Sequence, residues 1–137
     1  MNKNIEKYVG IPYKPKGNSF KEGMDCVTLL YTYYAELGYK YELPEYTYDG
    51  KFRPSNLKQY VEKMRELRNK NTIITDIKDL LEDDLVCFSL SSTYVDLAGA
   101  YVGERKFLYM PHVGRSCLAT FTPFWKLKFR YGVRLCP

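Results

Sequence analysis

The apolar periodicity of this chain changes once, at Asp84, and that change sets its architecture. Before it, apolar residues recur at helical spacing. From Cys26, the positions Val27, Leu30, Tyr31 and Tyr34 follow i, i+3, i+4, i+7, one buried helical face. Asp25 can cap that helix and Gly38 can end it. A shorter helix fits Asn4 to Val9, and a second long one fits Ser55 onward, with Leu57, Tyr60, Val61, Met64 and Leu67 on its apolar face. Thr72–Ile74 reads as a short strand or extended connection, and Asp76–Leu80 as a single helical turn. Beyond Asp84 the period shortens to that of strands. Leu85–Phe88 is an apolar run, and Ala98–Val102 and Lys106–Met110 flank a turn at Gly103-Glu104-Arg105 as a hairpin. Arg115–Thr120 can add a strand, and Lys128–Leu135 alternates Phe129, Tyr131, Val133 and Leu135 against polar partners as a half-buried closing strand. Helices first and an antiparallel sheet second make the class α+β.

The 137 residues suit one domain over 1–137, and 45% hydrophobic content supplies a core. Fourteen tyrosines fit either a core or an interface, because the ring packs while its hydroxyl still hydrogen-bonds. The net charge of +5 is scattered, apart from Lys126, Lys128, Arg130 and Arg134. That lacks the dense stripe of a nucleic-acid groove and leaves a solvated basic surface, an anionic wall polymer or an acidic partner. The four cysteines, Cys26, Cys87, Cys117 and Cys136, show no Cys-x-x-Cys spacing, and with one histidine a zinc site is not expected. Cys87 and Cys117 lie in strand-like apolar segments and read as inert core residues. No metal or organic cofactor is expected. The polar start, Met1 to Lys7, carries no apolar signal core, and no stretch approaches membrane-spanning length, so cytoplasmic synthesis without membrane insertion is expected.

Chemistry points to Asp25-Cys26. A Gly-containing loop, residues 17–23, leads into the helix start there. A cysteine in the first helical turn meets the positive end of the helix dipole, which favours the thiolate, the nucleophilic form. The alternative is a small buried apolar residue at a helix start.

Several stretches resemble the NlpC/P60 family, the compact papain-like fold of bacterial and phage peptidoglycan peptidases. They are Val9-Gly10-Ile11-Pro12-Tyr13, Met24-Asp25-Cys26-Val27-Thr28-Leu29-Leu30, Tyr34-Ala35-Glu36-Leu37-Gly38 and Glu42-Leu43-Pro44-Glu45-Tyr46. Further on, Asp83-Asp84-Leu85-Val86-Cys87-Phe88 is similar to the family's Gly-Asp-Leu-Val-x-Phe strand, and Ala98–Gly103 to its His-Val-Gly-Ile-Tyr-x-Gly hairpin. Pro123-Phe124-Trp125-Lys126 and Tyr131-Gly132-Val133-Arg134 resemble the closing segment of the tail-associated type of bacteriophages.

The resemblance implies N-terminal helices packed on a C-terminal antiparallel sheet. It also implies a cysteine nucleophile at the first main helix, a histidine base on the sheet and a third polar residue orienting that base. Cys26 matches the nucleophile. The register set by Gly99, Tyr101 and Gly103 puts Leu97 at the base position and Tyr109, twelve residues on, at the third. Leucine accepts no proton, and tyrosine is a poor base at neutral pH. The only histidine, His112, also precedes Val-Gly but lies 28 residues beyond Asp84, against 13 for Leu97. It is an unorthodox base or a loop residue. Asp96 adjoins the vacant position and could orient a partner. Trp125 reads as core or lid.

Two functions follow. One is a catalytically degenerate module of a phage or phage-like tail, a virion component that contacts tail or baseplate proteins or the peptidoglycan stem peptide. The other is an active cysteine peptidase or amidase with Cys26 as nucleophile and His112 as base. Neither binds nucleic acid.

Overall fold

The computed structural model describes residues 5–39, 65, 66, 68, 71–90, 95, 97–111 and 114–135. A 3-10 turn, Ile5–Tyr8, stands where the sequence suggested a short helix. Strands β1 (Asn18–Ser19) and β2 (Gly23–Met24) then form a small antiparallel pair leading into helix α1 (Cys26–Glu36). Asp25 caps α1 as its sequence position predicts. The Thr28 amide donates to Asp25 Oδ1 at 2.9 Å, and the Asp25 amide donates to Thr28 Oγ1 at 3.0 Å. This reciprocal pair satisfies two backbone donors that the helix start leaves without partners. Past the other end, Gly38 takes the left-handed conformation, φ +84°, in which a side chain would be strained.

The buried face of α1 differs from the expected one. Val27, Leu30 and Tyr34 are buried, but so are Thr28, Leu29 and Tyr33, while Tyr31 is exposed. The helix is covered on more than one side. Its inner face meets the sheet, and Tyr33 also meets the N-terminal Tyr8 ring edge-on, 5.1 Å between centroids. The expected second long helix lies largely outside the described residues, where Arg65, Glu66 and Arg68 alone are seen, helical and exposed.

The C-terminal part is one six-stranded antiparallel sheet. Its strands are β3 (Thr72–Ile74), β4 (Leu85–Phe88), β5 (Leu97–Gly103), β6 (Lys106–Tyr109), β7 (Cys117–Thr120) and β8 (Phe129–Arg134). The order across the sheet is β3-β8-β4-β5-β6-β7, so the last strand returns to lie between β3 and β4. The expected turn after β3 is a 3-10 turn, Ile77–Asp79, capped by Asp76. Before β8, a short helix α2 (Pro123–Lys128) occupies a stretch for which the sequence suggested no element. Proline at its first turn is the local signal, since the fixed φ suits a helix start and no amide is lost.

Both faces of the sheet are covered, which makes two cores. One joins α1 to the sheet through Leu85, Cys87, Ala98, Ala100, Leu108, Met110 and Val133. The other gathers Ile74, Val86, Phe88, Leu97, Tyr101, Phe107 and Phe121 on the opposite face, with Trp125 and Phe129 packed against them. Trp125 is thus a packing residue, 5.0 Å from the Phe88 and Phe107 rings. The predicted common face of Phe129, Tyr131, Val133 and Leu135 does not hold. A register shift between Cys87 and Phe88 in the β4–β8 ladder puts Phe129 on the face opposite Tyr131. A bulge of this kind adds a residue to one strand and reverses the alternation beyond it.

Candidate functional site

Cys26 is the first residue of α1 and is half-buried. Its setting is built by three pieces of backbone. Asp25, 2% exposed, caps the helix with one carboxylate oxygen and with the other accepts the Lys16 amide at 2.8 Å, tying the preceding loop to the helix start. Met24 ladders with the N-terminal segment, its amide donating to Pro12 O and its carbonyl accepting from the Lys14 amide, both at 2.9 Å. Gly23 permits this approach. Its φ is +133°, and a Cβ there would lie 2.7 Å from the Pro12 carbonyl oxygen.

The N-terminal segment is in turn held by the chain just beyond His112. Ser116 Oγ, buried, donates to Tyr8 O at 2.6 Å and accepts the Ile11 amide at 2.9 Å. Ser116 also exchanges backbone bonds with Gly10 and Ile11, and the Tyr13 amide donates to Gly114 O at 3.2 Å. Residues 114–116, the segment 8–14 and Met24 therefore lie side by side, ending two residues from the thiol. Periodicity gave no hint of this assembly, because its partners are about a hundred residues apart.

The sequence-derived partners of Cys26 divide as follows. Leu97 opens β5, is 1% exposed, and packs with the core opposite α1. Tyr109 packs against that same far core. The residues that β4, β5 and β6 turn toward α1 are Leu85, Cys87, Ala98, Ala100 and Leu108, with Met110 just past β6, and no residue of these three strands is a histidine, aspartate or glutamate. The structure therefore places Leu97 and Tyr109 together, in a core separate from that of Cys26. His112, Asp96 and Cys136 lie outside the described residues.

Tyr109 faces Cys117 across the β6–β7 ladder. Its hydroxyl is pushed up to about 12, first by burial and then by the neighbouring, hydrogen-bonded Cys117 thiol. It is a neutral phenol at physiological pH. Cys87 fits its expected role as an inert core thiol, fully buried and raised by that burial. Cys117 does not. It is half-exposed, because β7 is an edge strand with alternating exposure.

Three phenols, one buried and two half-buried, share the upward shift. Tyr131 is raised to about 12, by burial and then by Cys87. Tyr33 is raised by burial and then by its 2.7 Å bond to Asp83. A raised tyrosine favours the neutral form in the fold, so its contribution is complete below the unfolded value near pH ~10 and drains away as pH rises toward ~12. Denaturation midpoints are expected to hold from pH ~8 to ~9.5 and fall steeply above ~10, with Tyr109→Phe flattening part of that fall. A profile unchanged by this substitution would contradict the assignment.

Among the described residues, no three His, Cys, Asp or Glu side chains could hold a metal ion, and no helix is long and apolar enough to cross a membrane.

The fold is shared with solved structures. A lipoprotein-like NLP/P60 family protein of Staphylococcus aureus superposes with a TM-score of 0.65 at 18% identity, over 96% of this chain and 38% of that one. An NlpC/P60 family protein of Bacillus cereus gives 0.64 at 19%, over 94% and 37%. The NlpC/p60 domain of the peptidoglycan hydrolase SagA gives 0.60 at 17%, over 94% of this chain and 91% of that domain. The chain thus spans under two fifths of the first two proteins, and identities this low carry the fold alone. No protein of curated function matches the sequence. The NlpC/P60 family model, however, matches residues 10–134, a span running from the segment that braces Met24 to the closing strand. With a capped cysteine at the head of α1 and that match over nearly its whole length, the chain belongs to the NlpC/P60 family.

Proposed function

We propose that this chain is a catalytically degenerate NlpC/P60 module that works by binding, in a phage or phage-like tail, to tail or baseplate proteins or to the peptidoglycan stem peptide. One observation carries the reading. The described sheet residues that meet α1 offer Cys26 no proton acceptor, and Leu97, which the sequence register aligned with the base, is aliphatic and packs on the opposite face of the sheet. A cysteine hydrolase without its general base forfeits a factor of about 10²–10⁴. The cell-wall setting is supported by family membership and by similarity to a peptidoglycan hydrolase domain. The tail setting is supported by the resemblance of 123–126 and 131–134 to tail-associated members.

A second reading, an active cysteine peptidase or amidase, is favoured by a separate observation. The chain from Gly114, two residues beyond His112 in sequence, is laddered to the segment that braces Met24, two residues from the thiol. The two readings part in one experiment. The purified protein, Cys26→Ala and His112→Ala are incubated with peptidoglycan, and wild-type Cys26 is alkylated with iodoacetamide. The binding module gives no turnover and a Cys26 alkylation rate no faster than that of glutathione. Turnover abolished in both variants would establish the peptidase instead.

A further inference from the structure

An open groove of about 720 Å³ lies at the hairpin-turn end of β5, on the sheet face opposite α1. One wall is the segment 75–78, the other is formed by Arg105 at the β5–β6 turn and Lys126 on α2, and the floor is Tyr101 and Phe129. Its charges are unbalanced. Asp76, the only carboxylate of the lining, pairs with Lys78 at 3.6 Å, while among the described residues no carboxylate pairs with Arg105 or Lys126. Arg105 Nη2 makes one long bond, 3.4 Å, to Phe121 O.

Two details indicate that the groove takes a ligand with acceptor oxygens. Tyr101 is only 8% exposed, and its hydroxyl accepts the Arg105 amide at 3.0 Å. Among the described residues nothing accepts its O–H, which leaves a donor at the groove floor. Glu104 and Arg105 both adopt positive φ, +53° and +63°, in a two-residue turn. Glycine or asparagine suits that turn better, so the Arg105 side chain is carried at a conformational cost.

We propose that the groove binds a phosphodiester-linked polyol chain, the chemistry of anionic wall polymers, and this assignment deepens the cell-wall reading given above. Phosphate oxygens accept from Arg105, Lys126 and the Tyr101 hydroxyl. The polyol hydroxyls meet Thr75 and Asp76, and its carbon chain lies on Phe129 and Ile77. Nucleic acid shares the phosphodiester but fits less well. Two uncompensated cations are few for it, and Tyr101 is too covered to serve as a stacking platform.

Titration calorimetry of the full chain with a synthetic glycerol-phosphate oligomer in low salt tests the site. Saturable binding is expected, weakened about tenfold by Arg105→Ala or Lys126→Ala, each the loss of a charge-assisted contact. Tyr101→Phe should weaken it severalfold, and Cys26→Ala should leave it unchanged. The logarithm of affinity against that of salt should slope at about −1.5 for two phosphate contacts and flatten in the double variant. Both cations are exposed, so the variants should unfold at the wild-type temperature. No saturable binding, or variants that bind like wild type, would overturn the proposal, as would tighter binding of an oligodeoxynucleotide of equal charge. Sedimentation with peptidoglycan stripped of phosphate polymers keeps the two readings separate, since a protein that pellets there but ignores the oligomer refutes this site alone.

Discussion

Phe88→Ala is expected to lower stability by about 4 kcal/mol, one of the two largest single-residue losses argued for this domain. Phe88 is fully buried, in the far core. Its ring lies 4.9 Å from that of Phe107, 5.7 Å from Phe121, 5.0 Å from Trp125 and 6.1 Å from Phe129. Removing it opens a cavity whose walls belong to β4, β6, α2 and β8, elements already fixed by the ladder, so the void cannot close by moving one side chain. For a chain of this length the loss corresponds to a melting temperature lower by about 15 °C. Phe88→Leu, which keeps most of the volume, should lose about a third as much. The neighbouring thiol gives a second readout. Cys87 is fully buried on the other face, so its slow reaction with Ellman's reagent should quicken in Phe88→Ala only as global unfolding becomes more frequent. A melting temperature within a few degrees of wild type would show that the far core is not a cooperative part of the fold.

The two-faced sheet explains which features the sequence disclosed. Asp25 and the start of α1 were legible because capping is local, needing only an acceptor side chain and a partner three residues on. The strands β3, β4, β5 and β6 were legible from short apolar runs, and Gly103 marked the hairpin turn. The face of each side chain was not. Strands covered on both sides, such as β4 with all four residues buried, have no polar alternation to read. The change of face at Phe129 comes from a register shift opposite Cys87, a property of the pairing that neither strand encodes alone.

The candidate site divides in the same way. Cys26 is conspicuous because helix start and nucleophile type coincide in adjacent residues. Its surroundings are assembled from 8–14, 23–28 and 114–116, joined mainly by main-chain bonds that impose little on residue type. Ser116 could have been noticed, since a small hydroxyl residue opening an apolar run often bonds to nearby backbone, but its partners at Tyr8 and Ile11 could not. Of the groove's two cations, Lys126 stood in the one local basic cluster of the sequence and Arg105 among its scattered charges, and nothing in the sequence joined them. The groove's imbalance appears once the Asp76–Lys78 pair is subtracted.

Asp84→Ala is expected to remove about 3 kcal/mol, for an electrostatic reason. The Asp84 carboxylate is 3% exposed and accepts Arg134 Nε at 3.0 Å and Nη2 at 2.8 Å, a two-pronged pair joining the start of β4 to the end of β8. Asp84 Oδ2 also accepts the Leu81 amide at 2.8 Å, fixing the turn before β4. Because Arg134 is 37% exposed, water screens its half of the pair, and losing the arginine alone should matter less, about 1.5 kcal/mol. Asp84→Asn keeps an acceptor for Leu81 and should fall between the two. The decisive quantity is the coupling. In a double-mutant cycle read by urea denaturation, Asp84→Ala with Arg134→Ala should lose at least 1 kcal/mol less than the sum of the singles. Strict additivity would mean that the ion pair is incidental and that Asp84 acts through the Leu81 amide alone.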